Sequence, residues 1–227
     1  MRINKYLALH LNTSRRNADE LIKAKKITVN NKLAVIGQDI MTTDVITYQN
    51  KILSSKIVYK YFKFYKPIGY ICSTRAQGKS KTIYDIVDNS LKYSGRLDKD
   101  SEGLMLLSND GDWLNNINHP SKGYEKEYIV TVSQPIILNS FKKVVTDKKE
   151  KLVINKLSKL NKFEYKVTLN TGKNREIRRV FAKNNVEIRN LKRISIGNFS
   201  IEDMKIGQLS QIKSNKKYRI NIWKSFL

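Results

Sequence analysis

Between Ser94 and Trp113 the chain reads SGRLDKDSEGLMLLSNDGDW, which sets Asp98, Asp100, Glu102 and Gly103 at the spacing that opens a calcium-binding loop. The same carboxylates could instead attack carbon or move a proton. A calcium loop needs further oxygen ligands and a bidentate glutamate at its twelfth position. Here the ninth position is Leu106, the twelfth is Asn109, and the residues after Gly103 form an apolar, strand-like run. Metal binding is therefore not expected. Cys72 is the single cysteine, and His10 and His119 lie far apart, so neither a disulfide framework nor a zinc site of several cysteines can form. GxGxxG after a strand, GxxxxGK[ST] and HExxH are absent, so dinucleotide, nucleoside triphosphate and zinc-hydrolase chemistries lack their usual parts.

The elements that must position such a carboxylate belong to a chain of 227 residues with a net charge of +24, 40% hydrophobic and 28% charged residues. That length allows one large domain or two smaller ones, and the composition is that of an ordered protein. The positive charge points to an anionic polymer or surface as partner. Abundant Lys, Asn and Ile match a base-composition background, but clustering goes beyond it. Arg2, Lys5, Arg15, Arg16, Lys23, Lys25, Lys26 and Lys32 stand against only Asp19 and Glu20 in that stretch. Arg15 and Arg16 open a helix, where free backbone N–H groups also favour phosphate. No apolar run is long enough to span a bilayer and no secretory cleavage signature opens the chain, so a cytoplasmic protein, monomeric by default, is expected.

Residues 1–55 read as one unit: a short helix over RINKYLALHL, a stop and new N-cap at Asn12-Thr13-Ser14, a helix over SRRNADELIKAK, and a hairpin turning at Asn30-Asn31. The join is placed near Ser54-Ser55. Residues 56–227 carry strand patterns at KIVYKYFKFYKP, GYICST, GLMLLS, EYIVTV and FEYKVTLN, and helix patterns at TIYDIVDN, DWLNNIN, PIILNSFKKVV and NREIRRVFAKNN. Interleaving without long regular crossovers predicts an α+β fold with a mixed, mainly antiparallel sheet.

GRLDKDSEGL (95–104) resembles the GRLDxxxxGL signature of the pseudouridine synthases, in the branch that modifies ribosomal RNA at single uridines. YKPIGY (65–70) resembles that branch's KPxG strand and turn, EKEY (125–128) its KxY motif, and GKNREIRR (172–179) its NRxIRR helix start. RINKYLA through VNNKLAVIG resembles the α-L RNA-binding domain shared with small-subunit ribosomal protein four. The motifs run in register over almost the whole chain, and GRLDKDSEGL, EKEYIVTV and NREIRR are most similar to the F type of ribosomal large-subunit pseudouridine synthase.

The resemblance implies isomerisation of a uridine in ribosomal RNA, most simply of the 23S large-subunit RNA, without a cofactor. The N1–C1′ bond breaks and the base rejoins through C5, with no net redox change. It places the catalytic carboxylate at Asp98, which either attacks C1′ or takes the C2′ proton, and leaves Asp100 as a solvated loop residue. Tyr128 is implied to stack on the flipped base, with stacking worth about 1–3 kcal/mol. Arg178 is implied to pair with Asp98, and Arg96, Arg175 and Arg179 to contact RNA, together with Arg2, Lys5, Arg15, Arg16 and Lys26 in the first domain. Ile194 or Ile196 is implied as the apolar contact under the uracil. With the sequence closing on KSFL, substrate selection by a basic C-terminal extension is not expected. Two other readings are a binding-only ribosome assembly factor on the same fold, which had no reason to keep Asp98, Tyr128 and Arg178 together, and a synthase acting on small-subunit rRNA or tRNA. A methyltransferase lacks its glycine-rich adenosylmethionine loop.

Overall fold

The structure is a computed structural model of the full chain. It describes residues 1–53, 58–74 and 78–212; the Ser54-Ser55 join and the KSFL end lie outside the described residues. The chain forms two compact units, one ending at Tyr59 and the next starting at Lys60. No helix among the described residues is long and apolar enough to cross a membrane.

In the first unit α1 (Ile3–His10) and α2 (Arg15–Lys23) pack on a four-stranded antiparallel sheet of order β2-β1-β3-β4, made of β1 (Ile27–Val29), β2 (Lys32–Leu33), β3 (Ile46–Tyr48) and β4 (Lys51–Ile52). Ser14 caps α2 by accepting the Asn17 N–H at 3.0 Å, as the Asn-Thr-Ser stop predicts. Asn30 and Asn31 take φ of 50° and 65°, the left-handed pair that a two-residue hairpin requires. Ile3, Leu7, Ala18, Ile22, Ile27 and Ile46 close the core.

The second unit contains β5 (Tyr61–Lys66), β6 (Lys92–Ser94), β7 (Glu102–Ser108), α3 (Gly111–Asn118), β8 (Lys126–Val132), β9 (Val144–Asp147) and β10 (Glu150–Val153). It continues with β11 (Lys156–Lys159), β12 (Glu164–Leu169), α4 (Glu176–Lys183), β13 (Ile188–Ile196), β14 (Phe199–Ser200) and β15 (Leu209–Gln211). The main sheet runs β11-β12-β8-β13-β7-β5-β15, with β14 on β13 and β6 on β7. Its β13–β7 pair is parallel and the others are antiparallel, so the sheet is mixed and mainly antiparallel.

GLMLLS becomes β7 because a continuous apolar run suits a strand buried on both faces, and Leu104, Met105, Leu106 and Leu107 are all fully buried. Gly103, at φ 117°, is where β7 meets β13: a Cβ there would lie 2.5 Å from the Arg193 amide nitrogen and closer still to its carbonyl oxygen. Gly103→Ala is therefore expected to destabilise this unit by more than about 4 kcal/mol, read as a lowered denaturant midpoint.

Three expected elements differ. PIILNSFKKVV folds not as a helix but as a 3₁₀ turn, Leu138–Ser140, followed by β9. TIYDIVDN shortens to a 3₁₀ turn over Ile83–Asp85, and GYICST contributes only the isolated bridge Ile71–Thr82. Ile136 and Phe141 are drawn into the core while Ile137 and Leu138 stay exposed, so the apolar spacing reflects two anchor points and not one helical face.

Candidate active site

The segment carrying Asp98 is built by contacts to its backbone. Lys66 is fully buried at the end of β5, and its Nζ donates to the carbonyls of Pro67 at 3.0 Å, Asp98 at 3.0 Å and Ser101 at 2.7 Å. The Gly69 N–H adds a bond to the Lys99 carbonyl at 2.7 Å, and the Ser101 N–H closes the turn on the Asp98 carbonyl at 3.1 Å. The Lys-Pro-Ile-Gly turn thus clamps the Asp98–Ser101 loop. Burial, only partly offset by the neighbouring Cys72, Asp98 and Asp100, lowers the Lys66 amine to about 8. An ammonium group offers three donors, which matches the three carbonyls that surround it.

The acids of the opening run take different partners. Asp98 Oδ2 lies 3.3 Å from Arg175 Nη1, and the same guanidinium reaches Asp100 Oδ2 at 3.2 Å. Arg178 Nε approaches Asp100 Oδ2 at 3.4 Å without hydrogen-bond alignment, and its Nη2 donates to the Asp100 carbonyl at 2.8 Å and Ser101 Oγ at 3.0 Å. Burial alone would raise the Asp100 pKa, but the Arg175 hydrogen bond and the charges of Arg178 and Arg175 outweigh it and hold the carboxyl below its usual range. Glu102 is buried and accepts from Tyr65 Oη at 3.1 Å and Asn190 Nδ2 at 2.8 Å. The calcium-like spacing therefore serves two arginines, a tyrosine and an amide.

One expectation changes here: the direct ion partner of Asp98 is Arg175 and not Arg178. Asp100 is an exposed turn residue, as expected, and also pairs with both guanidinium groups. The cause is where the helix begins: α4 starts at Glu176, leaving Arg175 at its N-cap with φ 47° and ψ 33°. Left-handed backbone at a non-glycine residue costs about 1–3 kcal/mol and concentrates at functional sites. Glu176, 3% exposed, organises the turn by accepting from Thr171 Oγ1 at 2.7 Å and the Lys173 N–H at 3.0 Å.

Of these groups Asp98, Ser101, Arg175 and Glu176 line a cleft of about 940 Å³, whereas Lys66, Asp100, Glu102 and Arg178 support it from outside its lining. Asp98, Arg96, Lys126, Tyr128, Arg175 and Arg193 all border it. Tyr128 projects from β8, where the register sets it opposite Arg193 on β13. Arg96 is exposed at the cleft. Neither Ile194 nor Ile196 lines it; Ile71, Leu97, Leu169, Ile177 and Leu191 supply aliphatic lining.

Arg179 is engaged by acids of its own chain. Its Nε meets Asp147 Oδ2 at 2.7 Å and its Nη1 meets Glu150 Oε2 at 2.7 Å, pinning the β9–β10 hairpin to α4. Arg179→Met is expected to speed amide exchange across Val144–Val153 severalfold while leaving β7 protected, measured by hydrogen exchange. In the first unit Arg15, Arg16 and Lys26 are exposed, Lys5 is half-buried, and Arg2 is held by the Gly37 carbonyl and by Asp39 at 3.3 Å. Sequence reasoning missed Lys66, Glu176 and Arg193 as site residues. The first two fall inside the quoted KPxG-like and NREIRR segments, whereas burial of Arg193 leaves no local signal.

Residues 60–183 match the family described as RNA pseudouridylate synthase, and residues 1–39 match the S4 domain. An uncharacterised RNA pseudouridine synthase of Borreliella burgdorferi is 35% identical over 100% of this chain and 94% of its own length. The dual-specificity RNA pseudouridine synthase RluF of Escherichia coli is 33% identical over 92% of this chain and 74% of its own. The ribosomal small subunit pseudouridine synthase A of Pasteurella multocida is 30% identical, covering 89% and 91%. A solved structure of a pseudouridylate synthase matches with a TM-score of 0.65 at 27% identity, covering 94% of this chain and 96% of that one.

Proposed function

Because the chain belongs to the RNA pseudouridine synthase family, we propose that it isomerises a specific uridine of ribosomal RNA, in the 23S large-subunit RNA, with Asp98 as the reacting carboxylate. The observation that carries this reading is Asp98 itself: its carbonyl is clamped by buried Lys66 and its carboxylate faces Arg175, at a cleft that Tyr128 also lines. A uridine must leave its stack to reach such a cleft, at a cost on the order of a few kcal/mol, and stacking on Tyr128 offsets part of that. Asp98 then works at C1′ or C2′ while the base turns, and no oxidant, reductant or group donor enters the balance. The S4 domain presents Arg15, Arg16 and Lys26 to phosphates. The protein acts as a cytoplasmic monomer in ribosome biogenesis.

The likeness of GRLDKDSEGL, EKEYIVTV and NREIRR to the F type of large-subunit synthase supports the large-subunit target, and the description of RluF as dual-specific is the reason that other RNAs enter the test. Pseudouridine is mapped in 23S rRNA, 16S rRNA and tRNA from cells with and without the gene. One 23S position lost without the gene and restored by the wild-type chain supports the proposal. Loss confined to 16S rRNA or tRNA reassigns the substrate, and no loss in any of them defeats it.

A further inference from the structure

Arg193 is 2% exposed, yet it has no carboxylate partner among the described residues. Its Nε donates to the Leu104 carbonyl at 2.7 Å, and its Nη2 is buried with no hydrogen-bond partner among those residues. A buried charge left unpaired costs several kcal/mol, so a fold that keeps one is built for a ligand that completes it. The guanidinium lines the cleft beside Gly95: a Cβ at Gly95 would come within 3.8 Å of Nη1 and 3.3 Å of Asn118 Oδ1, so the glycine keeps that approach open.

The register identifies what stands next to it. Arg193 is paired across the antiparallel ladder with Tyr128, so the two side chains share one face of the sheet. Lys126, two residues before Tyr128 on that face, also lines the cleft, and its Nζ donates to the Thr171 carbonyl at 3.3 Å. Burial, and then the charge of Arg193, lower the Lys126 pKa. The nearby carboxylates are engaged elsewhere, Asp98 with Arg175 and Glu176 with Thr171 and Lys173. A hydrated phosphate is poorly matched to a guanidinium this deep, whereas the edge of a flat, neutral base suits one that shares its cleft with a tyrosine ring.

We propose that Arg193 holds a carbonyl oxygen of the target uracil and takes up the negative charge that collects there as the glycosidic bond breaks. The proposal rests on the function argued above. When C1′–N1 breaks, its electron pair stays on the base, and the uracilate spreads the charge over N1, O2 and O4. Asp98 answers the electron deficiency at C1′, by bonding to it or by removing the C2′ proton. After the base turns, C5 bonds to C1′ as the Asp98 carboxylate departs from it, or as Asp98 returns the C2′ proton; the C5 proton then leaves, N1 takes one up, and the charge on the carbonyl oxygen is discharged. A cation fixed before the reaction stabilises that charge without reorganisation.

The test compares leaving groups in single-turnover reactions of the full chain on RNA carrying uridine or 5-fluorouridine at the mapped site, following loss of the N-glycoside. Fluorine makes the departing base more acidic and less dependent on a cation. Arg193→Met is expected to slow the uridine reaction on the order of 10²-fold, with RNA affinity held within about twofold. The 5-fluorouridine reaction should slow far less, so the ratio between substrates rises on the order of tenfold. Arg193→Lys, which keeps the charge, should hold that ratio near wild type, and Arg193→Gln should raise it; these two carry the test if the Met variant unfolds. Equal slowing of both substrates would mean a structural role and overturn the proposal, as would a loss confined to RNA affinity with a shallower salt dependence, the mark of a phosphate contact. Failure of the wild-type chain to isomerise uridine at all would count instead against the parent reading.

Discussion

Asp98→Asn is expected to reduce single-turnover isomerisation by at least about 10⁴-fold, because removing a group that reacts directly with substrate abolishes the step it performs. The amide is nearly isosteric, and the loop that carries residue 98 is fixed through the carbonyls of Asp98 and Ser101, which the substitution leaves intact. RNA affinity and thermal stability should therefore stay close to wild type, the former measured by filter binding and the latter by melting. Asp100→Asn serves as the contrast. It weakens the anchor for Arg175 and Arg178 but leaves Asp98 in place, so its activity should lie well above that of Asp98→Asn. If the two variants were equally inactive, the chemistry could not be assigned to Asp98 alone.

The second large effect belongs to Lys66. Lys66→Met strips the donors from three carbonyls at the base of the catalytic loop. Hydrogen bonds to a charged group contribute about 1.5–3 kcal/mol each, and after relief of the buried charge a net destabilisation on the order of 3 kcal/mol is expected in denaturant titrations. Activity should fall on the order of 10²-fold, since a displacement of about 1 Å at the reacting group has that effect. The pH dependence has a definite sign. The proton on Lys66 is held less tightly in the fold, with a pKa of about 8 against an ordinary 10.5. Its linked contribution is fully present above the unfolded value and is lost as pH falls through about 8. The stability of wild type relative to Lys66→Met should therefore rise between about pH 8 and 10.5, and a falling difference would contradict the burial argument.

Much of this site was legible in the chain because its motifs are backbone requirements. GLMLLS reads as the strand it becomes, and in the first unit Asn30-Asn31 marks a turn that needs left-handed backbone, whereas the close approach of Gly103 to β13 shows only in the fold. The hairpin joining β9 and β10 was not legible. Lys148 and Lys149 occupy its left-handed positions, with φ of 48° and 63°, and lysine is not a turn signal. The exchange of Arg178 for Arg175 beside Asp98 was also hidden, because it depends on whether α4 begins one residue earlier or later. Arg193 was least visible of all. Its surroundings come from Leu104, Gly95 and Tyr128, brought together only by the sheet.

These side chains make one arrangement: a clamped loop offers Asp98, an arginine at a strained helix start faces it, and a tyrosine lies beside an unpaired arginine in the same cleft. Its central claim is that the chain moves a uridine from an N- to a C-glycosidic bond by means of its own residues. The most direct measurement is tritium release from 23S rRNA transcripts carrying [5-³H]uridine, incubated with the purified chain and no added cofactor. Release that levels off at one tritium per target site, and that is absent with Asp98→Asn, is the predicted result. Wild-type chain that binds the transcript but releases no tritium would contradict the account.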